Sequence, residues 1–245
     1  MEKLSEELYK TLIYEDRYKL ILEGLKNTIV IALGAAIIGL LLGFLISLIR
    51  DNYEKNGRMP FLNFFCKTYV LVIRGTPVLL QLMIIYYIIF KSVNVNPILI
   101  GIVAFGLNSA AYVSEIVRSG LGAIHIGQLE AGLSLGMSYR QTMTYVILPQ
   151  VIHNIIPSLG NEIITLVKET SVIGYIGVME LTKSSDIIAS RTYDYFFPLI
   201  IIAIVYLALT TIMSKLLHAF ERVLNNDWDK EFNKKIWWFM GFKKY

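Results

Sequence analysis

Acidic and polar side chains stand inside two long apolar stretches of the sequence. Glu162 lies midway along one stretch with Asn161 beside it, and Asn108, Tyr112 and Glu115 follow one another in the other at spacings of four and three. That spacing places the last three on one face of a helix. Ionisable groups are costly at membrane depth and usually face a cavity or a partner there. A carboxylate in such a place suits recognition of a cationic group, so these residues are candidates for a solute pathway.

Both acidic residues also have a structural interpretation. Glu162 could be a protonated or hydrogen-bonded carboxyl that fixes helix packing. Glu115 precedes Arg118 by three residues, so the two side chains could simply pair on one helix. The sequence leaves both interpretations open.

A third stretch, Arg-Gly-Thr-Pro at 74–77, predicts a break in a membrane span. Pro77 lacks an N–H and Gly75 is conformationally permissive, while Thr76 adds a hydroxyl. Irregular backbone at membrane depth occurs where it lines a cavity or is buried in protein, and in transporters freed N–H groups receive substrate carboxylates. A plain proline kink is the alternative. Arg74 is either an anion partner or a side chain that reaches for the membrane surface.

Polar residues also end the fourth apolar segment. Thr170 and Ser171 lie in the run Lys-Glu-Thr-Ser at 168–171. Their hydroxyls suit hydrogen bonds to a substrate, and they suit an ordinary helix end equally well.

The composition is that of a membrane protein. Of the 245 residues 55% are hydrophobic, and the mean hydropathy is +0.56, which is too apolar for an ordinary soluble domain. The net charge of +4 lies mostly at the termini and in short connections, which argues against nucleic-acid binding. One cysteine and three histidines give neither a disulfide nor a cluster spaced for zinc. We expect no metal, no cofactor and no catalytic residues in this chain.

The elements that must position these residues are membrane helices. About 20 apolar residues cross the roughly 30 Å of a bilayer core. The sequence therefore predicts an all-α membrane protein with five transmembrane helices, at 27–49, 64–90, 97–117, 151–173 and 195–217. Gly34, Gly39 and Gly43 in the first span form a small surface suited to close helix packing.

Charges outside the spans predict three regions and an orientation. Residues 1–26 predict an amphipathic interfacial helix, 27–217 the transmembrane domain, and 218–245 a basic cytoplasmic tail. Basic residues in the tail and in the 50–60 connection place both in the cytoplasm, which puts the N-terminus outside after five spans. The basic residues within 1–26 weigh against this orientation.

The connection between the third and fourth predicted spans, residues 118–150, is too polar to cross a bilayer. Its pattern is nevertheless more regular than that of a plain loop. Within it we expect a short helix at about 127–138, interrupted by Gly136. Small residues and apolar side chains on an exposed helix are what one protein offers to another's groove. A connecting or re-entrant helix is the alternative.

This connection resembles the EAA signature of ABC importer permeases. The matching residues are Glu130, Ala131, Gly132, Gly136, Val146, Leu148 and Pro149, with Gly132 standing where Ala is usual and Val146 where Ile is usual. Four further stretches resemble the polar amino-acid permeases that serve histidine, arginine and glutamine: VIRGTPVLLQL (72–82), NSAAYVSEIVRSG (108–120), IGQLEAG (126–132) and LGNEIITLVKETS (159–171). The resemblance runs in order from about residue 20 to 220 and includes the five-span layout.

The resemblance implies a type I importer permease whose polar loop is a coupling helix docked on a separate ATPase. Its coupling residues would be Glu130, Ala131, Gly132, Leu135 and Gly136. The dipeptide Gly-Lys never occurs, so the chain has no phosphate loop, is not expected to be an enzyme, and leaves ATP and magnesium to its partner. The implied partners are two ATP-binding subunits, a second permease chain forming a homodimer, an extracytoplasmic amino-acid-binding protein and the lipid bilayer of a prokaryotic inner membrane.

Two acidic residues in the bundle match the two cations of a basic amino acid, so we expect transport of arginine, lysine or histidine by alternating access. The alternatives are glutamine or another polar amino acid in the same family, and a stand-alone ion-coupled carrier that uses the acids as ion sites. An intramembrane enzyme is disfavoured because no nucleophile and base pair stands near them. The candidate substrate-binding residues are Glu162, Glu115, Asn108, Thr76, Gly75, Asn161, Tyr112, Thr170 and Ser171.

Overall fold

The structure is a computed structural model that describes the backbone of residues 2–239 and the side chains of residues 5–224. Every regular element in this described part is helical, which confirms the predicted all-α fold. The helices are α1 Glu2–Leu8, α2 Tyr18–Asn56, α3 Pro60–Gly75, α4 Val78–Ile84, α5 Pro97–Gly122, α6 Ile126–Ser134, α7 Tyr139–Thr142, α8 Leu148–Glu169, α9 Leu181–Thr192 and α10 Phe196–Phe239. Wider π-type turns extend α4 at Ile85–Ile89 and precede α8 at Met143–Ile147.

The chain divides into two compact units. The first contains residues 1–118 and 162–210, and the second contains residues 119–161 and 211–245. Helices α2 to α4, α5 as far as Arg118, α9 and residues 196–210 of α10 therefore belong to the first unit, and α6 and α7 to the second. The chain passes from the second unit to the first within α8, between residues 161 and 162.

Four of the five predicted spans have both the length and the composition of a membrane crossing. Within the described residues α2, α5 and Phe196–Leu224 of α10 qualify as single helices, and α3 with the extended α4 qualifies as one bent pair. The remaining predicted span corresponds to α8, whose 22 residues are long enough but too polar to qualify by composition. Its polar character comes from Gln150, His153 and Asn154 as well as from the candidate residues Asn161 and Glu162.

The N-terminal region differs from the single interfacial helix predicted for residues 1–26. Glu15 and Asp16 both adopt a left-handed conformation with φ of 56°, which ends the first helical segment. The buried Arg17 side chain stabilises this break because it donates a hydrogen bond to the carbonyl of Lys10 at 2.8 Å. Helix α2 then begins at Tyr18 and continues unbroken through the first span, so no boundary exists near residue 26.

Glycines allow α2 and α5 to pack in close contact, as the sequence predicts. A Cβ atom on Gly39 would lie 2.7 Å from the Ser109 hydroxyl, and one on Gly43 would lie 2.6 Å from the Val113 Cβ. Gly106 of α5 is equally tight against Ile38. Because the glycines of both helices point into the contact, the two backbones approach more closely than larger residues would allow.

The start of α9 is fixed to α2 by hydrogen bonds. The Asn27 side chain donates to the Met179 carbonyl at 2.8 Å, and a Cβ on Gly24 would meet the Glu180 carbonyl at 2.7 Å. Glu180 is fully buried and caps α9 by accepting from the backbone N–H groups of Thr182 and Lys183. The capping carboxylate thus satisfies N–H groups that the helix start would otherwise leave unpaired.

Substituting Gly43→Ala tests the close packing of α2 on α5. The added methyl overlaps Val113 next to the backbone, so we expect the free energy of unfolding to fall by about 1–3 kcal/mol, as for other overpacked cores. Thermal unfolding of the purified chain measures this. Gly122→Ala is the matched control, because its Cβ would meet nothing within 4 Å. Equal melting temperatures for the two variants would contradict the close contact.

Candidate functional site

The predicted helix break is present between α3 and α4. The two helices, which end and begin at Gly75 and Val78, are bent by 113° relative to each other. Thr76 and Pro77 between them have extended backbone conformations. The break leaves backbone carbonyls of the last α3 turn without helical partners, because Pro77 has no N–H to donate.

Gln81, which the sequence analysis did not single out, fills this break. Its Nε2 donates to the Ile73 carbonyl at 2.8 Å, to the Thr76 carbonyl at 3.0 Å and to the Thr76 hydroxyl at 2.8 Å. The Thr76 hydroxyl in turn donates to the Val72 carbonyl at 2.8 Å. A glutamine four residues beyond a proline in an apolar run was the available signal, because such a polar group needs a local partner.

Asn108 of α5 holds the other end of the Gln81 side chain. Asn108 is 2% exposed, and its Nδ2 donates to Gln81 Oε1 at 2.9 Å. Its own Oδ1 has no hydrogen-bond partner among the described residues. Asn108 therefore reaches the break through Gln81, and its side chain is closed off from solvent.

The structure places Glu115 among three arginines. Its carboxylate pairs with Arg50 of α2, with Arg118 at 2.9 Å and with Arg74 at 3.5 Å, and Arg74 also stacks over the Tyr112 ring at 5.4 Å. The pairing with Arg118 considered from the sequence is present, and the contacts with Arg50 and Arg74 are additional. With three cations around it, this carboxylate has no unpaired side left for a cationic substrate, so the geometry favours the ion-pair interpretation.

Glu162 of α8 belongs to the first unit, as Glu115 does, and its side chain contacts α5. It is half-buried, and its Oε1 accepts a hydrogen bond from the Ser109 hydroxyl at 2.8 Å. Its Oε2 makes no hydrogen bond within the described part of the chain, and the neighbouring Asn161 is exposed. Glu169 follows on the same face of α8 two turns later and has neither a hydrogen bond nor an ion pair among the described residues. Sequence reasoning passed over Glu169 because it belongs to a charged run at a helix end.

The two hydroxyl residues after α8 behave differently from the acids. Thr170 is fully buried and donates to the Val167 carbonyl at 2.8 Å, which is the bond of an ordinary helix end. Ser171 is half-buried and makes no hydrogen bond in the described structure. Thr170 is thus satisfied internally, and only Ser171 keeps a free hydroxyl.

The predicted coupling helix is α6, slightly shorter than the range 127–138 expected from sequence. It ends before Gly136, whose φ of 80° is the left-handed conformation that favours glycine. Gly132 is buried against α7, since a Cβ there would lie 2.4 Å from Thr142 Cγ2. This contact leaves no room for the usual alanine unless Thr142 moves. The opposite side of α6 is exposed and includes Glu130, Ala131 and Leu133, and Leu135 directly after the helix is exposed as well.

Comparison with known proteins agrees with this architecture. Residues 39–226 match a family model described as the binding-protein-dependent transport system inner membrane component. The arginine transport system permease ArtQ of Bacillus subtilis is 40% identical over 209 residues, covering 84% of this chain and 93% of that protein. The protein GlnP of Rickettsia typhi, named as a glutamine transport system permease, is 41% identical over 198 residues, covering 79% and 88% of the two chains.

Solved structures share the fold. A crystal structure of an amino acid ABC transporter with histidines superposes with a TM-score of 0.76 at 42% identity, covering 84% of this chain and 94% of that one. An inward-facing form of the MetNI methionine ABC transporter has a TM-score of 0.68 at 18% identity, over 84% and 97% of the chains. At that identity the second likeness concerns the fold alone.

Substituting Glu115→Gln tests the arginine cluster. The change leaves the buried Arg50 guanidinium without its carboxylate, so we expect the free energy of unfolding to fall by as much as about 3 kcal/mol. Thermal or denaturant unfolding measures the loss. Asp51→Asn is the control, because the more exposed pair that it breaks with Lys55 is worth less than about 1 kcal/mol. Similar losses in both variants would show that the cluster is no stronger than a surface pair.

Proposed function

Because the chain belongs to the family of binding-protein-dependent transport system inner membrane components, we propose that it is the permease of an ATP-driven importer of polar, and more narrowly basic, L-amino acids. Members of this family are transport components and not enzymes. The relatives named above for arginine and glutamine, and the amino acid transporter structure at 42% identity, support an amino acid as the solute.

The observation that carries the proposal is the Glu162 carboxylate beside α5, with one oxygen held by Ser109 and the other unpaired. Asn108, which directly precedes Ser109 in α5, reaches the helix break through Gln81. The Glu162 carboxylate and the irregular backbone of the break thus both adjoin the middle of α5. An α-amino acid carries an ammonium group, which suits the Glu162 carboxylate, and a carboxylate, which suits the break. In the proposed site Glu162 binds the ammonium, and the exposed Gly75 and Thr76 receive the carboxylate.

A basic side chain needs a second anionic partner, and this role moves from Glu115 to Glu169. Glu115 is surrounded by arginines, whereas Glu169 is half-buried, unpaired and on the same face of α8 as Glu162. Ser171, two residues beyond, offers a free hydroxyl to the same ligand. Glutamine remains the second candidate because a glutamine-named relative is as similar as the arginine-named one. A neutral carboxamide would not require the second carboxylate.

The proposed assembly follows from the family and from the exposed side of α6. Two copies of this chain form the pathway, two ATP-binding subunits hold ATP and magnesium, and a binding protein delivers the amino acid from outside. The exposed Leu133 and Leu135 are the apolar contacts offered to the ATP-binding subunit. Closure of the ATP-binding pair moves α6, and the helices around the site then alternate between outward and inward access. The C-terminal tail and α6 lie in the cytoplasm and the N-terminus lies outside.

Arginine binding to the complex of this chain with its ATPase tests the substrate assignment. We expect Glu162→Gln and Glu169→Gln each to weaken arginine binding at least tenfold, about the value of one charge-assisted hydrogen bond. Calorimetry with the wild type, each variant and glutamine as competitor measures this. Glu23→Gln is the control, because Glu23 is an exposed glutamate outside the proposed site. Unchanged arginine affinity in Glu162→Gln would remove this residue from the site, and preferential binding of glutamine would replace the basic substrate.

Substituting Leu133→Ser together with Leu135→Ser tests the coupling role of α6. Removing exposed apolar side chains should leave the fold intact and weaken the contact with the ATPase, since a few such residues carry most of an interface's energy. We expect loss of amino-acid-stimulated ATP hydrolysis and of uptake, while arginine binding is retained. Uptake that persists in the variant without the ATPase would instead identify a stand-alone carrier.

A further inference from the structure

The buried pair Gln81 and Asn108 lies directly behind the helix break. We propose that Gln81, oriented by Asn108, is a positioning residue that holds the break in the form that receives the substrate carboxylate. This inference rests on the proposed function, because it concerns the same site.

The Gln81 carboxamide connects the two sides of the break. Its NH₂ group donates to the carbonyl of Ile73 in α3 and to the carbonyl and hydroxyl of Thr76. Its oxygen accepts from Asn108. Gln81 is only 8% exposed, and both the NH₂ group and the oxygen of its carboxamide are hydrogen-bonded. The NH₂ group faces only acceptors, and the oxygen faces only a donor.

These bonds decide what the break presents to a ligand. The carbonyl oxygens of Ile73 and Thr76 carry partial negative charge, which would repel a carboxylate if they were unpaired. Donation from Gln81 offsets that charge. A separate donation from Gln81 to the exposed Thr76 hydroxyl, together with the hydroxyl's own donation to the Val72 carbonyl, fixes the rotamer of Thr76. The hydroxyl's only proton is thereby engaged, so this side chain orders the break rather than donating to the ligand. The break is thereby kept receptive to an anionic group in one conformation.

Asn108 supports the orientation of the Gln81 carboxamide. The carbonyls of Ile73 and Thr76 accept from Nε2, which leaves Oε1 directed towards α5, where the Asn108 Nδ2 donates to it. The reversed carboxamide would set oxygen against the carbonyls and NH₂ against NH₂. Asn108 holds this orientation although its own Oδ1 is buried without a partner among the described residues, which is costly. A purely apolar contact would fasten α5 to α4 without that cost, so polarity is the property that the pair supplies.

A structural staple is the competing explanation. Tyr69 already ties α3 to α5, because its hydroxyl donates to the Leu107 carbonyl. If Gln81 were only a second tie of this kind, its loss would lower the melting temperature and leave the substrate affinity of the folded protein unchanged. A positioning role predicts a change in affinity that depends on Thr76.

The experiment uses the complex of this chain with its ATPase in nanodiscs, and whichever of arginine and glutamine the wild type binds. We expect Gln81→Leu, and also Asn108→Asp, which reverses the polarity of the pair, to raise the Kd at least about tenfold. The maximal ATPase rate at saturating amino acid should stay within about twofold, because the substrate still closes the site when bound. Gln150→Leu is the control, since Gln150 is a half-buried glutamine whose side chain donates to the Val146 carbonyl four residues earlier and not to a helix break.

A double-mutant cycle with Thr76→Ala separates positioning from stapling. If Gln81 acts through the Thr76 hydroxyl, the effects of Gln81→Leu and Thr76→Ala on Kd are not additive. Additive effects, or a wild-type Kd in folded Gln81→Leu, overturn the inference. If Gln81→Leu does not fold, Gln81→Asn and Asn108→Asp decide by the same criterion. Failure of the wild type to bind either amino acid contradicts the proposed function itself, which distinguishes the two failures.

Discussion

Three consecutive residues in the middle of α5 hold the first unit together. The carbonyl of Leu107 receives the Tyr69 hydroxyl of α3, the side chain of Asn108 reaches Gln81 of α4, and the hydroxyl of Ser109 donates to Glu162 of α8. Successive residues on a helix point in different directions, so one short segment serves three neighbours. This segment therefore positions Glu162 directly and Thr76 through Gln81.

The close packing of α2 against α5 is the condition for this arrangement. Ser109 and Val113 lie against glycines of α2, so the side of α5 that faces α2 needs no large side chains. The remaining directions are then free for polar residues. Several of these polar groups have a partner in the same unit, whereas the Asn108 Oδ1 and the Ser47 Oγ are buried without one among the described atoms.

The sequence predicted the elements well and the partnerships only in part. Apolar length identified the helices, and Gly75 with Pro77 identified the break, because both signals are local. Of the three arginines that pair with Glu115, the sequence predicted only Arg118, because it lies three residues away on the same helix. Arg50 is 65 residues away from Glu115 along the chain. Gln81 was missed for a similar reason: its role depends on carbonyls that become available only once the helix breaks, and on Asn108 from another helix. The continuity of α2 past residue 26 was also missed, because charge on the first helical turns imitates an interfacial segment.

Gly132 and Thr142 are in such close contact that side chains at these two positions share one limited space. A methyl group on residue 132 would occupy the space that Thr142 Cγ2 already fills. An alanine at position 132 would therefore require Thr142 to shift or to be replaced by a smaller residue in this packing. Two positions ten residues apart along the chain are thus coupled by direct contact, and the glycine of this loop fits the close approach of α6 to α7.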